Sequence, residues 1–453
     1  MAGIRLQYFL TVVILFLLSC SKTFPTQMAL DDMDRNADTL VSPNEYFDYS
    51  ALWAQGQYAV IEDGFSPPVA ARIFAYSFLA QYETWNLVDF QHQSLLRNGW
   101  LDEDFDHGVV NKHLASSLSY LLVLDHLLYR PGNLRMAYSL VEAEFGEIDS
   151  TSLEFLMAQD IAQDIINFSS LDKYSMTRGM PVYQPTVGPI SWYPTPPTYG
   201  AALEPYWGSI RPFYFDSVSV KEYVLDYPTY YLDSTGVGLN PDIVDTVENA
   251  RNLQGEETLA IAEHWDCNPR QSLTYGHVMT KIKQNNPAGH WLGIAASVMD
   301  SLAITTDKKL YIMAVLATSL HDGFVICWKT KFLHDVIRPE TWINTYRSPL
   351  WTPMIETPLF PEYTSGHSVV SSISDVLLTH FLGDSIQFTD SVNQFMNFPP
   401  RKYNSFHEAA TEAAMSRFYS GIHFKGAVLD GLRQGKMIAD GILSKLVIEH
   451  YPE

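Results

Sequence analysis

The chain predicts an all-α fold, and three observations carry that expectation. Apolar residues recur at helical spacing through most of the sequence. Ser-Pro pairs with the grammar of helix starts stand before two of those runs. Strand-like alternation is rare, and neither a solenoid-period repeat nor a low-complexity run interrupts the pattern. The 453 residues, 47% of them apolar, suffice for a large helical core. A formal charge of −22 excludes a nucleic-acid surface, which needs a basic face.

Residues 1–19 read as a signal peptide. Arg5 makes a positive start, and Phe9 to Leu18 is apolar but too short to span a bilayer comfortably. The run ends in Leu17-Leu18-Ser19-Cys20, which resembles a bacterial lipoprotein box with Cys20 as the lipidated residue. The expectation is an exported cell-envelope lipoprotein, on the periplasmic face or in the outer membrane, held by an N-terminal lipid anchor only.

Residues 20–45 read as the tether. Asp34, Asn36, Asp38, Ser42 and Glu45 fall at positions 1, 3, 5, 9 and 12 of an EF-hand-like loop, a calcium-binding spacing. Thr39 stands where that loop needs its glycine. The same stretch also reads as a capping box, Ser42-Pro43-Asn44-Glu45, opening a helix.

An N-terminal helical region is expected over 46–255. Ser66-Pro67-Pro68 precedes a helix over Val69 to Leu87, and further helices fit 110–130, 133–146 and 151–167. Residues 180–231 change texture to Pro, Tyr, Trp and Gly. They are either irregular chain bordering a cleft or a connection between domains. A C-terminal helical bundle is expected over 256–453, with helices at 256–264, 271–284, 289–305, 308–333, 367–382, 405–420 and 426–448. Cys267 and Cys327 give no disulfide framework; one bond or two buried thiols fit equally.

Three clusters in that bundle carry chemistry. Lys331 and Arg338 are seven apart, two turns on one helix face, with Pro339 as the expected stop. Ser365-Gly366-His367 precedes apolar Val369, Val370, Ile373, Val376 and Leu377, so the turn opens a helix. A helix start offers free N–H groups to an anion, and His367 would stand beside it for proton transfer. Arg417 and His423 are separated by Ser420-Gly421, a break that lets both reach one point. In so acidic a chain, an oxyanion site must gather its cations locally.

A lysine seven before Arg-Pro, then Ser-Gly-His, then Ser-Arg and a histidine six after the arginine resembles the signature of vanadium-dependent haloperoxidases and the related type 2 phosphatidic acid phosphatases. The specific part covers residues 331–423. The resemblance implies helical bundles of the vanadium chloroperoxidase and acid phosphatase type. It implies that Lys331, Arg338, Ser365, Gly366 and Arg417 hold the oxygens of vanadate or phosphate. His423 would be the vanadium ligand or the phosphatase nucleophile, and His367 the acid/base.

Phe360 falls where chloride-oxidising relatives carry an aromatic and bromide-oxidising ones a histidine, which makes it a halide-pocket candidate; simple packing explains it as well. Many members carry an acid four residues after the last histidine; here that residue is Ala427. Three activities follow as expectations. The first is halide oxidation with hydrogen peroxide at vanadate, and the second phosphomonoester hydrolysis through a phosphohistidine. The third is a non-catalytic anion-binding lipoprotein. Asp266 and Asp322 are the candidates to replace the missing acid.

Overall fold

A computed structural model describes residues 47–89, 94–96, 110–252, 255–269, 271–275 and 277–447. The signal peptide with Cys20 and the candidate calcium loop Asp34, Asn36, Asp38, Ser42 and Glu45 lie outside the described residues.

The fold is all-α. Its N-terminal half contributes α1 (Tyr49–Asp63), α2 (Pro67–Asp89), α3 (Lys112–Leu127), α4 (Arg135–Phe145), α5 (Leu153–Ser170) and the short α6 (Tyr174–Arg178). Next come α7 (Pro241–Asn252) and α8 (Glu256–His264), then the hairpin β1 (Gln271–Tyr275) and β2 (Val278–Ile282). The C-terminal half holds α9 (Pro287–Ser301), α10 (Thr306–His334), α11 (Pro339–Tyr346) and α12 (Gly366–Leu382). A second hairpin, β3 (Phe388–Asp390) and β4 (Arg401–Tyr403), leads to α13 (Phe406–Tyr419) and α14 (Lys425–Val447).

Three local expectations are corrected. Residues 271–284 form an antiparallel hairpin with Tyr275 opposite Val278, not a helix. Thr274, Tyr275, Val278 and Thr280 favour strand, and His277 lies in the turn between them. Pro339 does not stop a helix over Arg338. Instead α10 ends at His334, Asp335 turns the chain in the left-handed region (φ 52°), and Pro339 opens α11 at its first position. Helix α7 was not anticipated, although Asn240 accepts from the Asp242 N–H before it. From 180 to 231 the chain is irregular, with short 3-10 turns between Trp207 and Tyr231. Both thiols, Cys267 and Cys327, are free and buried.

Helix α10, 29 residues long, is the axis of the packing. It lies against α2 on one side and α12 on another, while α12 also packs on α13 and α14. Its length and apolarity would suffice to cross a membrane, but its apolar window is wholly buried inside the protein. The hydrophobic effect therefore wraps it with other helices. Near it, Arg72 donates through Nε to Asp172 at 2.6 Å and through Nη2 to the Ser169 carbonyl, both groups buried. Tyr76 also donates to Asp172, so the charge pair has several hydrogen bonds to offset its desolvation.

Helices α12 and α14 meet backbone to side chain. A Cβ on Gly431 would stand 2.7 Å from Ser368 Cβ and 2.8 Å from the Ser365 carbonyl oxygen. One turn on, a Cβ on Gly435 would lie 2.3 Å from the Val369 carbonyl oxygen. These two glycines let α14 close on the first turn of α12, where the Ser-Gly-His segment begins.

Candidate active site

Two of the three sequence clusters line one cavity of about 460 Å³, through Gly366, His367, Arg417 and His423, with Trp328 and Phe360 among its other walls. The first cluster reaches it through Arg338, which contacts His423. Thr198, Leu203 and Glu204 also border it, so the irregular segment does reach a cleft. Lys331 sits in the last turn of α10, buried, and its Nζ donates to the carbonyls of Pro361 (2.9 Å) and Glu362 (3.1 Å). Arg338 is the residue before α11, with extended backbone. Its Nε donates to the Phe360 carbonyl (2.9 Å), and its Nη1 to the Ile422 carbonyl (2.8 Å) and His423 Nε2 (3.0 Å). The two cations converge through the reversal at Asp335, not along one helix face.

Ser365 caps α12, accepting from the Ser368 N–H. Gly366 lies against the Trp328 ring, which a Cβ would meet at 3.4 Å. His367 is partly exposed on the cavity side, with its Nε2 buried. Helix α13 ends at Tyr419, and Gly421 at φ 81° turns the chain so that Arg417 and His423 face the same space. Arg417 Nη1 donates to the Trp265 carbonyl at 2.7 Å. Phe360 lies 5.1 Å from Lys331 Nζ and 5.1 Å from Arg338 Cζ, within cation–π range of both.

The residue the sequence did not single out is Glu362. Its Oε1 accepts from His423 Nδ1 (2.9 Å) and from the Phe424 N–H (2.9 Å). Its other oxygen faces the Tyr231 hydroxyl at 3.4 Å, and that hydroxyl also accepts from the Ala427 N–H at 2.8 Å. An acid thus reaches the last histidine from the loop before α12, while position 427 is packed in an apolar cluster with Tyr231 and Phe424. The two acids expected as substitutes do other things. Asp322 accepts from the Phe213 and Tyr214 N–H groups, and Asp266 stands in the field of Arg417, its carboxyl raised to about 6 by burial. Asp430 pairs with Tyr230, Tyr363 and Arg433.

The electrostatics follow from burying cations together. Burial, reinforced by Arg338, lowers Lys331 to about 7. Burial and then Arg417, His290 and Lys331 hold His367 well below its ordinary value, so it is neutral in the free site. His423 is likewise held neutral by burial, Arg338, Lys331 and Arg417. Burial raises the Glu362 carboxyl, against the pull of Arg338 and Lys331. With its Nδ1–H on Glu362, His423 presents the Nε2 lone pair toward the cations.

Among the described residues, the polar atoms buried around this space without a partner include Arg338 Nη2, Arg417 Nε and His367 Nε2. Unpaired guanidinium N–H groups beside a histidine lone pair fit a bound tetrahedral or trigonal-bipyramidal oxyanion.

Comparison with known proteins agrees. A bacterial vanadium-dependent iodoperoxidase structure is 31% identical, with a TM-score of 0.79, covering 91% of this chain and 98% of its own. The chain belongs to the vanadium-dependent haloperoxidase superfamily. Its fold also matches apo and holo forms of a bacterial vanadium-dependent chloroperoxidase. Both are 14% identical, with TM-scores of 0.66 and 0.61, covering 85% and 92% of this chain and 95% and 99% of theirs. The family model for the VCPO second helical-bundle domain matches residues 311–449. No curated protein is significantly similar in sequence. The superfamily is one of enzymes and includes the phosphatases.

Proposed function

We propose that this protein is a vanadium-dependent haloperoxidase, with iodide as the first halide to test. The observation that carries the proposal is the set of unpaired buried donors, Arg338 Nη2 and Arg417 Nε, around the Nε2 of a histidine held by an acid. Lys331, Arg338, Arg417, the Ser365-Gly366 turn and His423 would hold vanadate. When bound, vanadate supplies a Lewis-acidic V(V) centre that activates hydrogen peroxide for halide oxidation.

The chain's own residues do the rest. Lys331, Arg338 and Arg417 offset the oxyanion charge in a buried site, where their field is weakly screened. Glu362 fixes the His423 tautomer and orientation. His367, neutral and beside the cavity, takes the proton from hydrogen peroxide. Trp328 and Phe360 line an apolar wall that limits water. The iodoperoxidase likeness supports iodide, the most easily oxidised of the common halides.

A second reading stays in view for one reason: an acid on His423 Nδ1 suits a phosphohistidine nucleophile as well. The same contact weakens the non-catalytic alternative, because an acid holds His423 although residue 427 is alanine. The test is halogenation of a phenolic dye with vanadate, peroxide and iodide, bromide or chloride, beside phosphomonoester hydrolysis without vanadate. Halogenation that is lost in His423→Ala supports the proposal. Hydrolysis alone, inhibited by vanadate, replaces it with the phosphatase. The proposal keeps the protein exported and anchored through Cys20, so Cys20→Ser should release it from the membrane fraction.

A further inference from the structure

Beside the oxyanion site lies a group of buried side chains that the proposed reaction does not use. Cys267 lines the same cavity, and its Sγ is 3.4 Å from His290 Nδ1. His290 Nε2 lies 2.7 Å from Asp390 Oδ2, and His264 Nε2 reaches the same oxygen at 2.8 Å. Asn393 Nδ2 stands 3.3 Å from His290 Nδ1, and the Trp265 ring stacks on the imidazole at 4.6 Å. With Nε2–H donated to Asp390, the Nδ1 lone pair of His290 faces the thiol. The order thiol, imidazole, carboxylate is the arrangement that activates a cysteine.

We infer that Cys267 is a peroxide-reactive thiol: His290, held by Asp390, takes its proton, and hydrogen peroxide in the cavity oxidises it to the sulfenic acid. The inference goes beyond the halogenation reading and does not need it. The thiolate forms the S–O bond, the O–O bond breaks, and the departing hydroxide takes the proton from the His290 imidazolium. Cysteine thiol and hydrogen peroxide thereby give sulfenic acid and water. The electrostatics agree with the geometry. Burial alone would lower His290, but Asp390 and Cys267 outweigh it and raise the imidazole to about 10.

The other described thiol is a built-in contrast. Cys327 is buried on α10 with its Sγ 3.7 Å from the Thr364 carbonyl and hydroxyl oxygens, and burial pushes it up. No imidazole or carboxylate stands with it in those contacts. Cys267 is also tied to the oxyanion site through its neighbour: the Trp265 carbonyl accepts from the Cys267 N–H (2.9 Å) and from Arg417 Nη1 (2.7 Å).

The experiment exposes the full-length protein, free of vanadate and halide, to hydrogen peroxide. Dimedone traps sulfenic acid, and peptide mass spectrometry locates the adduct. The expected result is an adduct on Cys267 with Cys327 unmodified. In Asp390→Asn, whose carboxamide keeps the shape but not the charge, the Cys267 adduct should form about tenfold more slowly. An unmodified Cys267, or Cys327 reacting at the same rate, overturns the inference. An unchanged rate in Asp390→Asn removes the relay. Because neither vanadate nor halide is present, a failure here is distinct from a failure of halogenation.

Discussion

Replacing Glu362 by Gln sets two physical effects against each other. Glu362→Gln keeps the shape of the carboxylate and leaves one oxygen to accept from His423 Nδ1 and the Phe424 N–H, each at 2.9 Å. A charge-assisted hydrogen bond contributes about 1.5–3 kcal/mol and a neutral one about 1 kcal/mol, so the bond to His423 weakens by roughly 1.4 kcal/mol. The Nε2 lone pair becomes a poorer donor to an oxyanion, and affinity for vanadate should fall about tenfold. Simple charge counting gives the opposite sign, because a negative group leaves an anion site. Glu362 bonds His423 directly at 2.9 Å but faces the oxyanion only across the imidazole ring, so the loss of donor strength should win. Glu362→Ala should be worse, since it strands the His423 and Phe424 N–H groups at a further cost of about 1–3 kcal/mol each. The assay is vanadate titration by calorimetry, with circular dichroism to show that the variants are folded. Equal or tighter binding by a folded Glu362→Gln would refute the reasoning.

The other expectations concern the same site and its frame. Lys331 in the free site loses its proton near pH 7, and only the ammonium attracts an oxyanion. The contribution of Lys331 to phosphate or vanadate binding is therefore full below pH 7. Above it, that contribution falls by up to about tenfold per unit until the bound-state pKa is reached. Lys331→Met should abolish that dependence, and a retained dependence would assign it elsewhere. Gly431→Ala should weaken oxyanion binding while leaving helix content unchanged, because its methyl meets Ser368 and the Ser365 carbonyl at the start of α12; a variant with native affinity would show that the two helices can part freely. Asp172→Ala leaves Arg72 buried and unpaired and should cost about 3–5 kcal/mol in urea unfolding, with a loss below about 1 kcal/mol counting against the pairing.

The helices were legible where periodicity and caps agreed. Glu256–His264, Gly366–Leu382, Phe406–Tyr419 and Lys425–Val447 lie close to where the apolar spacing places them. The hairpin at Gln271–Ile282 was not, because its strands are only five residues each and the run passes equally for a short helix. Helices α7 and α11 are short and begin on proline, a start signal that is easily read as a stop. At the site, cations and the Ser-Gly-His turn are visible as local patterns. The meeting of Lys331 with Arg338 is not, because it depends on the reversal at Asp335. Glu362 stood in plain view beside the Ser-Gly-His turn, yet its contact with His423 spans 61 positions. One sequence carries no trace of a pairing that the tertiary fold alone creates.

The position of Glu362 also bears on how such proteins are recognised. A survey that demands an acid four residues after the last histidine would discard this chain at Ala427. Yet a carboxylate does sit on that imidazole, delivered from another loop and steadied by Tyr231. In this chain the contact on the ring nitrogen is kept while the position four residues on is alanine, so the contact rather than the position is the unit to compare. Searches framed as contacts in space, with Glu at the second residue before Thr-Ser-Gly-His and Tyr near 231 as one permitted solution, would gather proteins that searches framed as a string of letters divide.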